Sequence, residues 1–192
     1  EIEKASYTLA DAKAEKNKDG QAVKVLSVPM VYKTADGVEI IKTFTFKQGE
    51  YPVMVSHKVV NRSGQNWQGQ MFGQIKRDNS DDPGKSSQGI FTLGTFLGGA
   101  WGTPDEHYNK LKFANFNDEK LNVEAKGGWV AVVQHYFVSA WIPGDLKLTQ
   151  ANGQPYSAKL ESRQSTDNMN IIGFTSPTMN VPAGTTAEVD AT

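Results

Sequence analysis

His57, His107 and His135 are the only side chains of this sequence whose ordinary pKa lies close to neutrality. A catalytic histidine needs a carboxylate or a nucleophile within hydrogen-bond reach, and a metal site needs further ligands at fixed spacing. None of the three has such a companion along the chain, and each reads as a structural or surface residue. Other arrangements fall short of the chemistry they suggest. Gly84-Lys85-Ser86 resembles the end of a phosphate-binding loop, but Asn79 stands where its first glycine is required and the tripeptide lies in a polar loop. Asp78, Ser80 and Asp82 have the one-three-five spacing of a calcium loop, yet Pro83 and Gly89 occupy the positions of its glycine and its glutamate. There is no Gly-x-Ser-x-Gly elbow, and the scattered carboxylates define no glycosidase-like pair. Asn61-Arg62-Ser63 fits a glycosylation sequon and equally an ordinary turn, and the turn suffices. The absence of cysteine rules out disulfides and thiolate metal sites. No metal or cofactor is expected.

The aromatic residues leave more open. Trp67, Trp101, Trp129 and Trp141 could line a sugar cleft or fill a core, and packing is the preferred reading because aromatic rings contribute large buried area. Two of them lie in the run from Gly127 to Pro143, which is apolar or aromatic apart from Gln134-His135 and a serine. A single core strand needs neither that length nor the polar break. The break is expected to mark a turn or kink between two β segments, with Gly127-Gly128 letting the chain enter the first one tightly.

The elements around this run have a period of two. Val23, Val25, Val28, Met30 and Tyr32 suggest a strand whose alternation slips near Ser27, as at a bulge. Asp36-Gly37 is a hairpin turn, Val38 to Phe46 a strand, and Gln48-Gly49-Glu50 the next turn. Tyr51, Val53, Val55, His57 and Val59 alternate on one face, and Trp67 to Lys76 completes a four-strand meander. Thr103-Pro104-Asp105-Glu106 has the pattern of a capping box and predicts a short helix ending near Leu111. Residues 78–90 and 144–158 read as loops. Strands are expected at Ser157–Gln164 and Met169–Phe174, and a tail through Pro177, Pro182 and Gly184 follows. Near the start, a short strand at Ser6–Leu9 and then a mobile loop are expected. The fold class is all-β with one or two short helices, in one domain spanning residues 1–192.

Lys+Arg is 20 and Asp+Glu is 21, so there is no basic field to bind a phosphate backbone, and nucleic acid is not an expected partner. No apolar run reaches the roughly 20 residues of a bilayer-spanning helix. The chain starts at Glu1 without an initiator methionine or a signal peptide and reads as an excised piece of a longer protein.

Ordered blocks carry a resemblance. Val28-Pro29-Met30, Thr43-Phe44, Gly49-Glu50-Tyr51, Phe72-Gly73-Gln74-Ile75-Lys76, Thr95-Phe96, Gly99-Ala100, Thr103 to Tyr108, Lys112-Phe113 and the stretch from Gly127 to Pro143 occur in that order. Together they resemble the large periplasmic domain of the YidC family of membrane protein insertases. The resemblance implies a super-β-sandwich like that of galactose mutarotase, here a fragment lacking its first and last strands, whose exposed edges would favour self-association. It implies a periplasmic location at the inner membrane and a role without catalysis in membrane protein insertion. Implied partners are SecD, SecF and the Sec translocon, with nascent membrane proteins engaged through the full-length protein. The family's insertion chemistry lies in a membrane core, so no residue here inherits it. A cleft in such a domain could accept an extended peptide; Trp101, Trp129, Tyr136 and Trp141 are its candidates. The alternatives are a carbohydrate-binding or mutarotase-like sandwich, which would need a histidine acid and a carboxylate base, and a purely structural spacer.

Overall fold

The computed structural model describes residues 12–16, 19–81, 96–143 and 157–192. Among them are fifteen strands: β1 (Lys13–Lys16), β2 (Ala22–Lys33), β3 (Val38–Lys47), β4 (Val53–Asn61), β5 (Trp67–Gly69), β6 (Phe72–Arg77), β7 (Gly98–Gly102), β8 (Asn109–Lys112), β9 (Asn122–Ala125), β10 (Trp129–Gln134), β11 (Phe137–Trp141), β12 (Ala158–Gln164), β13 (Asn170–Thr175), β14 (Met179–Val181) and β15 (Thr186–Ala191). Among the described residues the helical content is a 3₁₀ turn at Phe113–Asn115. The protein is therefore all-β, as expected, and its sheets are open and antiparallel. They fall into two compact units, and among the described residues the chain passes from one to the other after Gly69 and after Pro177.

The first unit holds a five-stranded sheet in the order β1-β2-β3-β4-β15 and the two-stranded ribbon β14-β5. Its hairpins follow from local turn chemistry. Thr34 and Gly37 close the β2–β3 turn, where Thr34 N–H donates to Val38 O at 2.9 Å and Gly37 N–H to Thr34 O at 3.3 Å. The alternation of β4 puts Val55 and Val59 in the core with His57 between them, and Val38 of β3 and Val189 and Ala191 of β15 join them. Tyr51, expected to head this alternation, precedes β4 and is fully exposed. The bulge expected near Ser27 is not formed: β2 and β3 pair without interruption from Val25↔Lys47 to Lys33↔Glu39.

The second unit is a sandwich of two four-stranded sheets, β11-β10-β7-β8 and β6-β13-β12-β9. Phe116, Phe174, Leu160, Ile172 and Val130 are its largest fully buried apolar side chains. Close approach of the layers depends on glycine. A Cβ built on Gly73 would lie 2.5 Å from the Phe174 ring and 2.7 Å from that of Trp141, and one on Gly99 would lie 2.9 Å from Phe116.

Four sequence expectations are corrected. Trp67 to Lys76 is not one strand continuing a meander. It divides into β5, which pairs with β14, and β6, which pairs with β13, and β15 takes the place beside β4. Half of the expected cap forms: Glu106 N–H donates to Thr103 Oγ1 at 3.0 Å, but Thr103 N–H donates to the Glu106 backbone carbonyl at 2.8 Å rather than to its side chain. Those two bonds close a turn rather than start a helix. The chain returns as β8 on β7, which places Leu111 in the core and His107 in the connection. The loop expected after Leu9 contains β1, and the expected tail contains β14 and β15. Ser6–Leu9, Gly84-Lys85-Ser86, Asp82 and the loop at 144–156 lie outside the described residues.

Candidate functional site

The run from Gly127 to Pro143 forms the expected pair of β segments. Gly127 and Gly128 enter it with φ of 79° and 117°, a region that side chains with a Cβ rarely adopt. β10 then passes through the interior of its sheet, a two-residue turn at His135-Tyr136 reverses the chain, and β11 returns along β10 from Gln134↔Phe137 to Val130↔Trp141. β10 is buried over Val130, Ala131 and Val132, whereas Phe137 to Ala140 of β11 are exposed. The difference is positional: β10 has β7 on one side and β11 on the other, while β11 is the edge of the sheet.

Register separates the four expected cleft residues. Trp101, Val130 and Trp141 face one another across β7, β10 and β11, so their side chains share one face. That face looks into the sandwich, where Trp141 meets Phe174 edge-on with ring centroids 5.8 Å apart. Trp129 occupies the opposite face, with its indole across Gly102 and 5.9 Å from the Tyr108 ring. Tyr136 is in the turn, 82% exposed. The structure thus puts Trp101 and Trp141 on one face with Val130 between them, pairs Trp129 with Tyr108, and places Tyr136 at the tip of the hairpin.

Tyr136 also borders a cavity of about 340 Å³. Val133, Gln134, His135, Phe137 and Val138 of the hairpin line it, and Phe96 and Tyr108 complete the wall. Lys110 stacks its ammonium 5.0 Å from the centre of the Phe96 ring, a cation–π contact on the cavity wall. Among the described residues its lining contains one histidine and no Asp or Glu. Its chemistry is that of apolar and aromatic contact. Sequence reasoning missed Phe96, Phe137 and Val138. One signal could have found the last two, because no Asp, Glu, Lys or Arg occurs from Gly127 to Pro143.

The remaining candidates are structural. His57 is half-buried on β4 directly across from Lys42, and burial first, then the Lys42 charge, lowers its pKa, so the ring stays neutral at pH 7. Asp78 Oδ1 accepts from Ser80 N–H at 3.2 Å and from its hydroxyl at 2.7 Å, a local turn rather than a calcium loop. Among the described residues no group of His, Asp and Glu is arranged to hold a metal ion. No helix among them is long and apolar enough to cross a membrane.

Comparison with known proteins agrees with the ordered blocks. The profile of the YidC periplasmic domain matches residues 3–192. The chain is 41% identical over 192 residues to the membrane protein insertase YidC of Stutzerimonas stutzeri, covering 99% of this chain and 30% of that protein. It is 40% identical to the protein of the same name from Azotobacter vinelandii, over 97% of this chain and 29% of the relative. The corresponding protein of Alcanivorax borkumensis is 40% identical over 93% of this chain and 28% of its own length. The chain thus spans about 30% of the length of the curated relatives it matches. With the match running over nearly its whole length, this chain belongs to the YidC family, as its periplasmic domain.

Proposed function

We propose that this chain is the non-catalytic periplasmic module of a membrane protein insertase, aiding insertion and folding of inner-membrane proteins through contacts with SecD and SecF of the Sec translocon. The carrying observation is the match over residues 3–192 to the YidC periplasmic domain, together with relatives named as membrane protein insertases. The cavity beside the 129–141 hairpin supports a binding role, because its walls offer rings and aliphatic groups instead of paired acids and bases. In this reading the insertion step belongs to parts of the protein outside this chain, and the module recruits or orients partners.

The test is co-purification of the full-length protein from membranes with SecD and SecF, with and without residues 12–192. Recovery of both subunits with the intact protein and their loss on deletion is the expected outcome. Equal recovery from the deletion variant would remove the partner assignment, although not the family.

A further inference from the structure

Edge strands are where a sheet is open to another chain, and soluble proteins guard them with charge. Among the described residues the three larger sheets have six edges. β1 carries Lys13, Glu15 and Lys16; β15 carries Glu188 and Asp190; β8 carries Lys110 and Lys112. β6 carries Lys76 and Arg77, and β9 carries Glu124. The sixth edge, β11, reads Phe-Val-Ser-Ala-Trp and carries no charge. The strands of the small ribbon are also uncharged, but they are three residues long and Met179 and Val181 of β14 are buried. β11 is instead open to solvent, with Phe137 73% and Val138 65% exposed. The cavity of about 340 Å³ adjoins it and shares Phe137 and Val138 as walls.

We propose that β11 is a docking edge for an extended, uncharged, apolar polypeptide segment that adds as a strand and places a large side chain in the adjoining cavity. Half of the backbone N–H and C=O groups of an edge strand point away from its sheet, so a passing extended chain can be held without regard to its sequence. Selectivity then comes from the surroundings. The edge offers a charged residue no partner, and the cavity rewards an aromatic or branched aliphatic one through burial. The five residues of β11 extend about 17 Å at roughly 3.3 Å per residue, the length of a five- or six-residue segment. A second copy of the chain is the weaker occupant. A stable dimer uses about 20–30 residues a side, and two such edges pairing with each other would leave both cavities without an inserted side chain. The inference rests on the insertase reading only for the source of the segment, an apolar stretch of a membrane protein, and the test below does not involve Sec subunits. Loss of SecD or SecF binding and loss of peptide binding are therefore separate results.

The probe is a fluorescein-labelled, uncharged ten-residue peptide of alternating valine and threonine with one central phenylalanine. Its binding to the 192-residue chain is followed by anisotropy, and backbone amide exchange is followed by NMR. Binding should slow exchange over Phe137 to Trp141, and Val138→Lys and Ala140→Lys, both at exposed positions, should weaken it at least about tenfold. Asn109→Lys on the β8 edge should leave it unchanged. Unaltered β10 exchange in each variant establishes that the sheet is intact. Absence of binding, protection outside β11, or equal binding by the lysine variants would overturn the proposal. So would a concentration-dependent dimer that both lysine variants abolish and that competes with the peptide, since it would give the edge to a second copy.

Discussion

Asn61 shows how one polar side chain can organise several segments. It is fully buried at the end of β4. Its Nδ2 donates to Gln65 O and to Val181 O, each at 2.8 Å, and its Oδ1 accepts from Ser63 N–H at 3.0 Å and Ser63 Oγ–H at 2.6 Å. Its backbone N–H donates to Thr185 O at 2.9 Å and its carbonyl accepts from Gly184 N–H at 2.8 Å. The amide therefore ties the 62–66 turn to β14 and to the connection before β15. This explains why the turn reading of Asn61-Arg62-Ser63 prevails over glycosylation, as the acceptor nitrogen is buried with both hydrogens committed. Asn61→Ala removes the Nδ2 donor to Val181 O, leaves Ser63 Oγ–H as the donor to Gln65 O at 3.0 Å, and should cost about 2–4 kcal/mol in urea unfolding. Asn61→Asp keeps the size but turns an acceptor toward those carbonyls, and it should cost at least as much at pH 7. A loss under about 0.5 kcal/mol for both would mean that the turn holds itself.

At the level of elements, glycine sets the distance between the layers of the second unit. Gly73 of β6 lies beneath the rings of Trp141 and Phe174, with no room for a methyl group. Gly73→Ala should destabilise the chain by about 1–3 kcal/mol as those rings are pushed aside. Moving Trp141 toward water should also shift the tryptophan emission to longer wavelength; a variant with unchanged melting and emission would show that β6 moves freely. Elements set by short-range chemistry were legible in the sequence. Asp36-Gly37, the Gln48–Glu50 turn and the break near Gln134-His135 lie where turn residues interrupt alternation, and β12 and β13 were found within a residue or two. Elements set by distant partners were not. The bond from Glu106 N–H to Thr103 Oγ1 is common to a helix start and to this turn, and pairing with β7 decides for β8. The two-residue alternation of Trp67, Gly69, Met71 and Gly73 continues across the boundary, so the separation of β5 from β6 depends on β14 and β13. For the candidate site, the run 127–143 was legible as two strands but also as core. Its second strand is exposed because no described strand pairs with its outer side, and composition does not carry that.

For the whole molecule, charge and exposed apolar surface point to different kinds of partner. The chain has 20 basic and 21 acidic residues, a formal net charge of -1, so it has no long-range field of one sign to steer a ligand. Its ionisable groups on the open edges of the larger sheets serve to keep other strands away, and β11 is the gap in that guard. Association there should draw on apolar burial and backbone hydrogen bonds, which salt screens little, whereas an interface built on ion pairs weakens as the screening length shrinks. Raising NaCl from about 0.05 to about 0.5 M shortens that length roughly threefold. The affinity of the uncharged probe peptide should then change by less than about twofold, with any drift toward tighter binding, since added salt does not weaken apolar contact. Replacing its central phenylalanine by alanine should weaken binding at every salt concentration, because about 1.5–3 kcal/mol of apolar burial is lost from the cavity. A tenfold or greater loss of affinity across that salt range would place the dominant contacts on charged residues, and the edge of β11 would then not be what holds the peptide.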